Sequence, residues 1–344
     1  MKYWTFRLFN NRISIQLSMR WLLTVAIWSA VVGAVFLLSL SSGSSWIPLT
    51  EVFKQITGQF DQHAFVVETL RLPRALLALL VGAALGVAGL ILQSLVRNPL
   101  ASPDIIGITS GASFGAVTFI SFGAGVISMQ FLPLAAILGA FLAALLIYLI
   151  SWNKGVTPIT LVLIGVGLSA IMKACVTFML VMSETATTTK SYIWLTGSIY
   201  GASWSDVTSM IWWLLIPIPL MLIFGRGLNL TEIGEDFSVS VGIRVQLQQF
   251  IFLMCSVMLA GTAAAYAGGI EFVGLMAPHI ARRLVHRSFP GLAVVTALIG
   301  AFLVLIADLA ARTLFLPLDI PAGVFTAAIG APFFLYLLFR YRNQ

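Results

Sequence analysis

Lys173 stands mid-way along an apolar run, 157–182, in a chain where only 9% of residues are charged. A charge at that depth is costly, so it is expected to face a bundle interior or a pore; the alternative is a lysine that pairs with a neighbour or snorkels to the interface. Arg71 and Arg74 flank Pro73 in "RLPR", and Asp308 and Arg312 sit in "ADLAAR". Arginine offers a planar fork that grips a carboxylate at two points, which suits the docking of an acidic partner. Its competing use is snorkelling to lipid headgroups. Asp308 is expected to fix Arg312 or a helix end rather than to bind cargo. A further group lies in "LTEIGEDFSVSVGIRV" (230–245). Gly234 can open a short helix there. Glu235 and Asp236 then occupy its first turn, where the macrodipole favours negative charge. Gly242 closes it. The segment is either a solvated loop helix or a docking knob for a cytosolic partner.

Other chemistry is excluded by what the sequence lacks. There is no G-x-x-x-x-G-K-[ST] loop to cradle a nucleotide, no H-E-x-x-H and no nucleophile elbow. His63, His279 and His286 are scattered, and Cys175 and Cys255 both lie inside apolar runs. No catalytic residue, metal site or cofactor is expected, and ATP hydrolysis would belong to another subunit.

These residues must be positioned by membrane helices. The chain has 344 residues, 60% of them hydrophobic, and a mean hydropathy of +1.02. A soluble chain carries about 25% charged residues, so this one is read as an all-α polytopic membrane protein, a single transmembrane domain over 1–344. Spans of about 20 apolar residues are expected near 21–40, 72–96, 105–127, 131–151, 157–182, 207–224, 247–267, 273–285, 291–311 and 320–339. The eighth is short and carries Pro278 and His279. Arg244 precedes the seventh span, and Arg282, Arg283 and Arg287 follow the eighth, so residues 245–281 must cross twice, with Gly268-Gly269 as the turn.

Ten spans put both termini in the cytoplasm. Thirteen Lys and Arg then fall inside, among them Lys2, Arg12, Lys154, Arg287 and Arg342; five fall outside and Lys173 lies within a span. That bias fits the positive-inside rule. The net charge of +7 thus reflects orientation and gives no support for nucleic-acid binding. Arg71 and Arg74 fall outside, against the bias, with Pro73 in the first turn of the second helix. The first span is expected to be a retained anchor, since no convincing cleavage site follows it. A short interfacial helix is expected within 41–71, and an aromatic interfacial helix and turn within 191–206. Gly82, Gly86 and Gly89, and Gly107, Gly111 and Gly115, have the spacing that lets helices pack closely. An ion-coupled secondary transporter would also give ten spans, but it needs titratable residues at the midplane of broken helices, and Lys173 alone is thin support.

Several stretches together resemble the FecCD-type family, the type II ABC importer permeases for iron–siderophores, haem and vitamin B12. They are "RLPRALLALLVGAALGVAGLILQSLVRNPLASPDIIGITSGASFGA" (71–116), "LVLIGVGLSA" (161–170), "WLTGSIYGASW" (194–204), "GEDFSVSVG" (234–242), "AGGIEFVGLMAPHIARR" (267–283), "ADLAAR" (307–312) and "IPAGVFTAAIGAPFFLYLL" (320–338).

The resemblance implies a ten-helix permease in the bacterial cytoplasmic membrane. A second permease would complete the pore, a sister chain in preference to a second copy. A cytosolic ABC ATPase dimer would drive it, and an extracytoplasmic substrate-binding protein would deliver a ferric siderophore, with haem or vitamin B12 as alternatives. Residues 231–243 resemble the family's coupling helix, with Gly234, Glu235, Asp236, Ser238, Val241 and Gly242 at matching positions. Ser238 stands where Ala is common and Val241 where Leu is common. Arg71, Arg74 and Arg312 resemble arginines that meet glutamates on the binding protein. Lys173 would face an anionic cargo if its helix lines the pathway. Glu271 replaces a residue that is often small and receives no role. His279 is read as a structural hydrogen-bonding residue.

Overall fold

Long apolar stretches leave the backbone little choice in lipid, because every N–H and C=O must find a partner within the chain. The computed structural model describes residues 3–8, 13–43, 45–58, 63–123, 126–152, 156–286 and 288–341. Lys2, Arg12, Lys154, Arg287 and Arg342, which were counted toward the inner charge, lie outside the described residues. The helices are α1 (Met19–Ser41), α2 (Leu49–Ile56), α3 (Leu72–Val96), α4 (Pro103–Ile106) and α5 (Ile108–Thr118). There follow α6 (Leu132–Ser151), α7 (Pro158–Met182), α8 (Thr185–Thr196), α9 (Trp204–Leu214) and α10 (Pro217–Ile233). The last five are α11 (Glu235–Ser240), α12 (Val245–Ala267), α13 (Val273–Leu284), α14 (Phe289–Thr313) and α15 (Ala322–Tyr341).

Among the described residues, 8 helical stretches are long and apolar enough to cross a membrane. The two further spans are shorter. One is Ile108–Gly123, where α5 runs on into a π turn. The other is the 12-residue α13, about 18 Å long. The ten-helix architecture therefore holds, with two helices that do not match the full bilayer. Gly107, at φ 97°, separates α4 from α5, so the third span starts later than expected. The sixth is interrupted between α9 and α10, just before Pro217, and α10 continues inward to Ile233.

One local expectation is corrected. Helical geometry in the second span begins at Phe65, not at Pro73: a π turn, Phe65–Arg71, leads directly into α3. Proline lacks an N–H, and its ring crowds the carbonyl four residues back. The wider turn, in which the Leu72 N–H reaches the Val67 carbonyl, absorbs that mismatch. At the N-terminus, strands β1 (Tyr3–Leu8) and β2 (Ile13–Ser18) form an antiparallel pair with Tyr3 opposite Ser18. Ile13, Ile15 and Leu17 alternate with Ser14, Gln16 and Ser18, a period of two that favours a strand over a helix. The interfacial helix expected within 41–71 is α2.

The centre of the bundle is α3, buried along nearly its whole length against α14, α12 and α13. Glycine permits this approach. A Cβ on Gly82 would run into the Gly300 carbonyl, and one on Gly89 into the Gly274 carbonyl. By contrast, α7 turns large side chains outward, with Leu163 72% and Phe178 66% exposed, as a helix facing lipid or another subunit must.

Candidate functional site

Three places gather the polar groups of this apolar chain. The first lies at the outer end, where the local chain answers only some of the last α1 carbonyls: the Ser42 N–H donates to the Leu38 carbonyl at 2.8 Å and the Ile47 N–H to the Ser41 carbonyl at 3.0 Å. A helix ends with four orphan carbonyls, and α1 has no basic residue in its last turn. The other donors come from elsewhere in the chain. Arg312, in the last turn of α14, donates to the Ser39 carbonyl and hydroxyl. Arg71, entering α3, donates Nη1 to the Leu40 and Ser41 carbonyls at 2.8 Å each, and Nη2 to the Ser45 carbonyl at 2.6 Å. Gly43 leaves room for this fork, since a Cβ there would lie 2.8 Å from Nη2.

Arg74 completes the cluster. Its Nε donates to Asp308 Oδ1 at 2.9 Å and Oδ2 at 3.2 Å. Its Nη1 and Nη2 grip Asp319 at 2.7 and 2.9 Å. The guanidinium lies 5.8 Å from the Tyr200 ring centre, within cation–π range. Asp308 is fully buried and also faces Arg312 Nε at 3.7 Å. Arg71 and Arg312, expected to dock a binding protein, are both buried and bonded to the carbonyls that end α1. Arg74 keeps 12% side-chain exposure, beside an Asp319 that is 27% exposed. Asp308 does fix Arg312, as its spacing suggests, and it holds Arg74 as well. Asp319 was missed by sequence reasoning; its signal is an acid beside proline in "LPLDIPAG".

The second place is a cavity of about 490 Å³ among α4, α7, the turn before α13, and α15. Val166, Ser169, Ala170 and Lys173 line it from α7, at the i, i+3, i+4, i+7 spacing of one helix face. Asp104, Glu271, Phe272 and Phe334 close the other sides. The Asp104 carboxylate lies within electrostatic reach of Glu271 and Lys173. Asp104 Oδ1 is buried without a hydrogen-bond partner among the described residues. Phe272 holds a left-handed φ of 67°, a costly state for a bulky residue that tends to persist at functional sites. Gly330 of α15 makes space for it: a Cβ there would meet the Phe272 side chain. Lys173 thus lines a cavity. Asp104 was not singled out from sequence, although an acid opening an apolar helix is a signal of the same kind. His279 is buried and packs edge-on to Phe333 at 5.7 Å.

The third place is the cytoplasmic segment. Gly234 precedes α11, and Gly242 follows it with φ 83°. The Gly242 and Ile243 N–H groups close the helix onto the Val239 and Ser238 carbonyls at 2.9 and 3.0 Å. Ser238 is fully buried and donates to the Gly234 carbonyl at 2.8 Å. Phe237, Val239 and Val241 are about half exposed or more. Glu235 and Asp236 start the helix, and their side chains lie outside the described residues. Phe237 and Val239 were not singled out from sequence, because apolar residues carry no signal in a chain so rich in them.

Comparison with known proteins agrees across nearly the whole chain. The profile of the FecCD transport family matches residues 30–340. The chain is 48% identical over 335 residues, 97% of this chain and 96% of the other, to the achromobactin transport system permease protein CbrC of Dickeya dadantii (strain 3937). It is 39% identical to the iron(3+)-hydroxamate import system permease protein FhuG of Bacillus subtilis (strain 168), over 93% of this chain and 97% of that one. It is 34% identical to the ferric enterobactin transport system permease protein FepG of Escherichia coli (strain K12), over 95% and 98%. Among solved structures, a metal-chelate type ABC transporter in an inward-facing conformation superposes with a TM-score of 0.83 at 30% identity, over 92% of this chain and 98% of that one.

Proposed function

The chain belongs to the FecCD transport family, and on that premise we propose that it forms half of the membrane pore of an ATP-driven importer, carrying a ferric siderophore inward across the cytoplasmic membrane by alternating access. The observation that carries this reading is the inner knob. Phe237, Val239 and Val241 expose apolar surface on a short helix at the cytoplasmic end, where water makes such surface unfavourable unless a partner covers it. A cleft on a cytosolic ATPase would supply the cover, with residues 231–243 transmitting its closure. Hydrogen bonds at both ends of α11, from Ser238 to the Gly234 carbonyl and from the Gly242 and Ile243 N–H groups back to Val239 and Ser238, suit a segment that must move as one piece. The chain is passive alone, because a conformational change needs a partner or ligand with different affinity for the two states.

On the outer side, Arg74 is the arginine we carry forward as a contact for a delivery protein. A carboxylate from that protein would compete with Asp319 for the same fork. A sister permease would supply the other half of the pore. The substrates in these relatives' names, achromobactin, an iron(3+)-hydroxamate and ferric enterobactin, favour an iron chelate over haem or vitamin B12.

Phe237→Asp tests the reading. The variant is expected to reach the membrane in normal amounts, to lose the co-purifying ATPase, and to lose uptake of ⁵⁵Fe-labelled chelates by more than about tenfold, as hot-spot truncations at an interface do. Retention of both the ATPase and uptake would sink the coupling role.

A further inference from the structure

Charged side chains in this protein fall into two kinds. Those at the outer end are paired. Those in the 490 Å³ cavity are not: among the described residues neither Lys173 nor Glu271 closes an ion pair within 4 Å, and Asp104 leaves Oδ1 without a hydrogen bond. Lys173 is the sixteenth of the 25 residues of α7, about 23 Å from its cytoplasmic end. At that depth an ionisable group normally faces a partner or a polar path.

We infer that Lys173, Glu271 and Asp104 form the contact at which the permease meets its passing cargo, and that the cargo they fit is a ferric chelate of mixed polarity. This rests on the importer reading. Lysine brings three rotatable donors and no acceptor, so it suits anionic oxygens at the chelate's edge. Carboxyl oxygens accept hydrogen bonds, so Glu271 and the unpartnered Oδ1 of Asp104 suit hydroxyl, amide or amine groups on the same molecule. Ile105, Leu275, Phe272 and Phe334 supply apolar wall. The volume lies in the range of pockets that take small organic ligands.

The sign pattern also serves release. A uniformly basic cavity would hold an anionic chelate tightly and retain it. Two carboxylates beside one ammonium weaken that hold, and conduction requires a site that lets go. A uniformly anionic chelate would be repelled by the acids. One with a purely apolar rim would leave all three charges desolvated without partners, which is costly.

The test uses the whole importer in cells, with ⁵⁵Fe-labelled uptake measured over a panel of ferric chelates: citrate (anionic, hydroxyl-bearing), a neutral trihydroxamate with no free donor groups, and a trihydroxamate bearing a free ammonium. Uptake of none of them by the native protein counts against the iron-chelate reading itself. The expected cargo carries both anionic oxygens and donor groups. Lys173→Gln and Glu271→Gln should each lower its uptake about tenfold or more, the scale of a lost hydrogen bond to a charged group. Lys173→Arg and Glu271→Asp should restore much of it, at unchanged membrane amount and ATPase co-purification. A native preference for the donor-free chelate, or Gln variants that transport normally, overturns the proposal.

Discussion

The outer arginine cluster and the central cavity both gather basic and acidic side chains and reach opposite ends. At the outer face, three arginines and two aspartates find their partners within the chain: Arg74 grips Asp308 and Asp319, and Arg71 and Arg312 close the end of α1, with Arg312 Nε held 3.7 Å from Asp308 and making no hydrogen bond of its own among the described residues. In the cavity, one lysine and two acids face one another across open volume without closing an ion pair. Both places bring acidic and basic side chains together in an apolar chain. What separates them is whether the protein itself supplies the partner. Charges paired within the chain hold helices in place, whereas charges that close no internal ion pair keep their bonding capacity for something that arrives.

Breaking an internal pair should cost the most. Asp308→Ala leaves Arg74 and Arg312 facing each other across a buried site, and removing one partner of a buried ion pair costs about 3–5 kcal/mol. Thermal unfolding of the detergent-purified protein should show a large drop in midpoint, and an unchanged midpoint would mean the outer cluster is not a fastening at all. Arg71→Ala should cost less, about 1–3 kcal/mol, since it orphans carbonyls without stranding a charge. Arg71→Lys should recover only part of this, because an ammonium cannot reproduce a fork that reaches three carbonyls. Full recovery by lysine would show that charge matters there and geometry does not. Lys173→Gln should be the smallest, within about 0.5 kcal/mol, as for substitutions that break no internal contact. A cavity variant that destabilised as much as Asp308→Ala would erase the contrast between the two regions.

Much of the fold could be read from the sequence, because lipid forces apolar runs into helices and charge bias orients them. The short eighth span was visible in the arginines that bracket 245–281, and the close helix seams in Gly82 and Gly89. The cytoplasmic knob was visible because Gly234 and Gly242 punctuate it. The arginine roles were not. Arg74 meets Asp308 across 234 positions, and Arg71 and Arg312 bond mainly to backbone carbonyls, a group every residue carries and no sequence marks. Asp104 escaped notice because its significance lies in what it faces across a cavity. The N-terminal hairpin did carry its signal, a strict alternation from Ile13 to Ser18, beside a helix whose apolar run dominates the same region.

The closing of α1 bears on how the chain is made. Its final carbonyls, from Ser39 to Ser41, are completed by residues 71 and 312. The first helix to enter the membrane therefore stays unfinished at its outer end until the ninth has been synthesised and threaded. Correct closure there records that almost the entire polypeptide has inserted in the right order, so a truncated or mis-threaded chain would expose its own incompleteness at that one end.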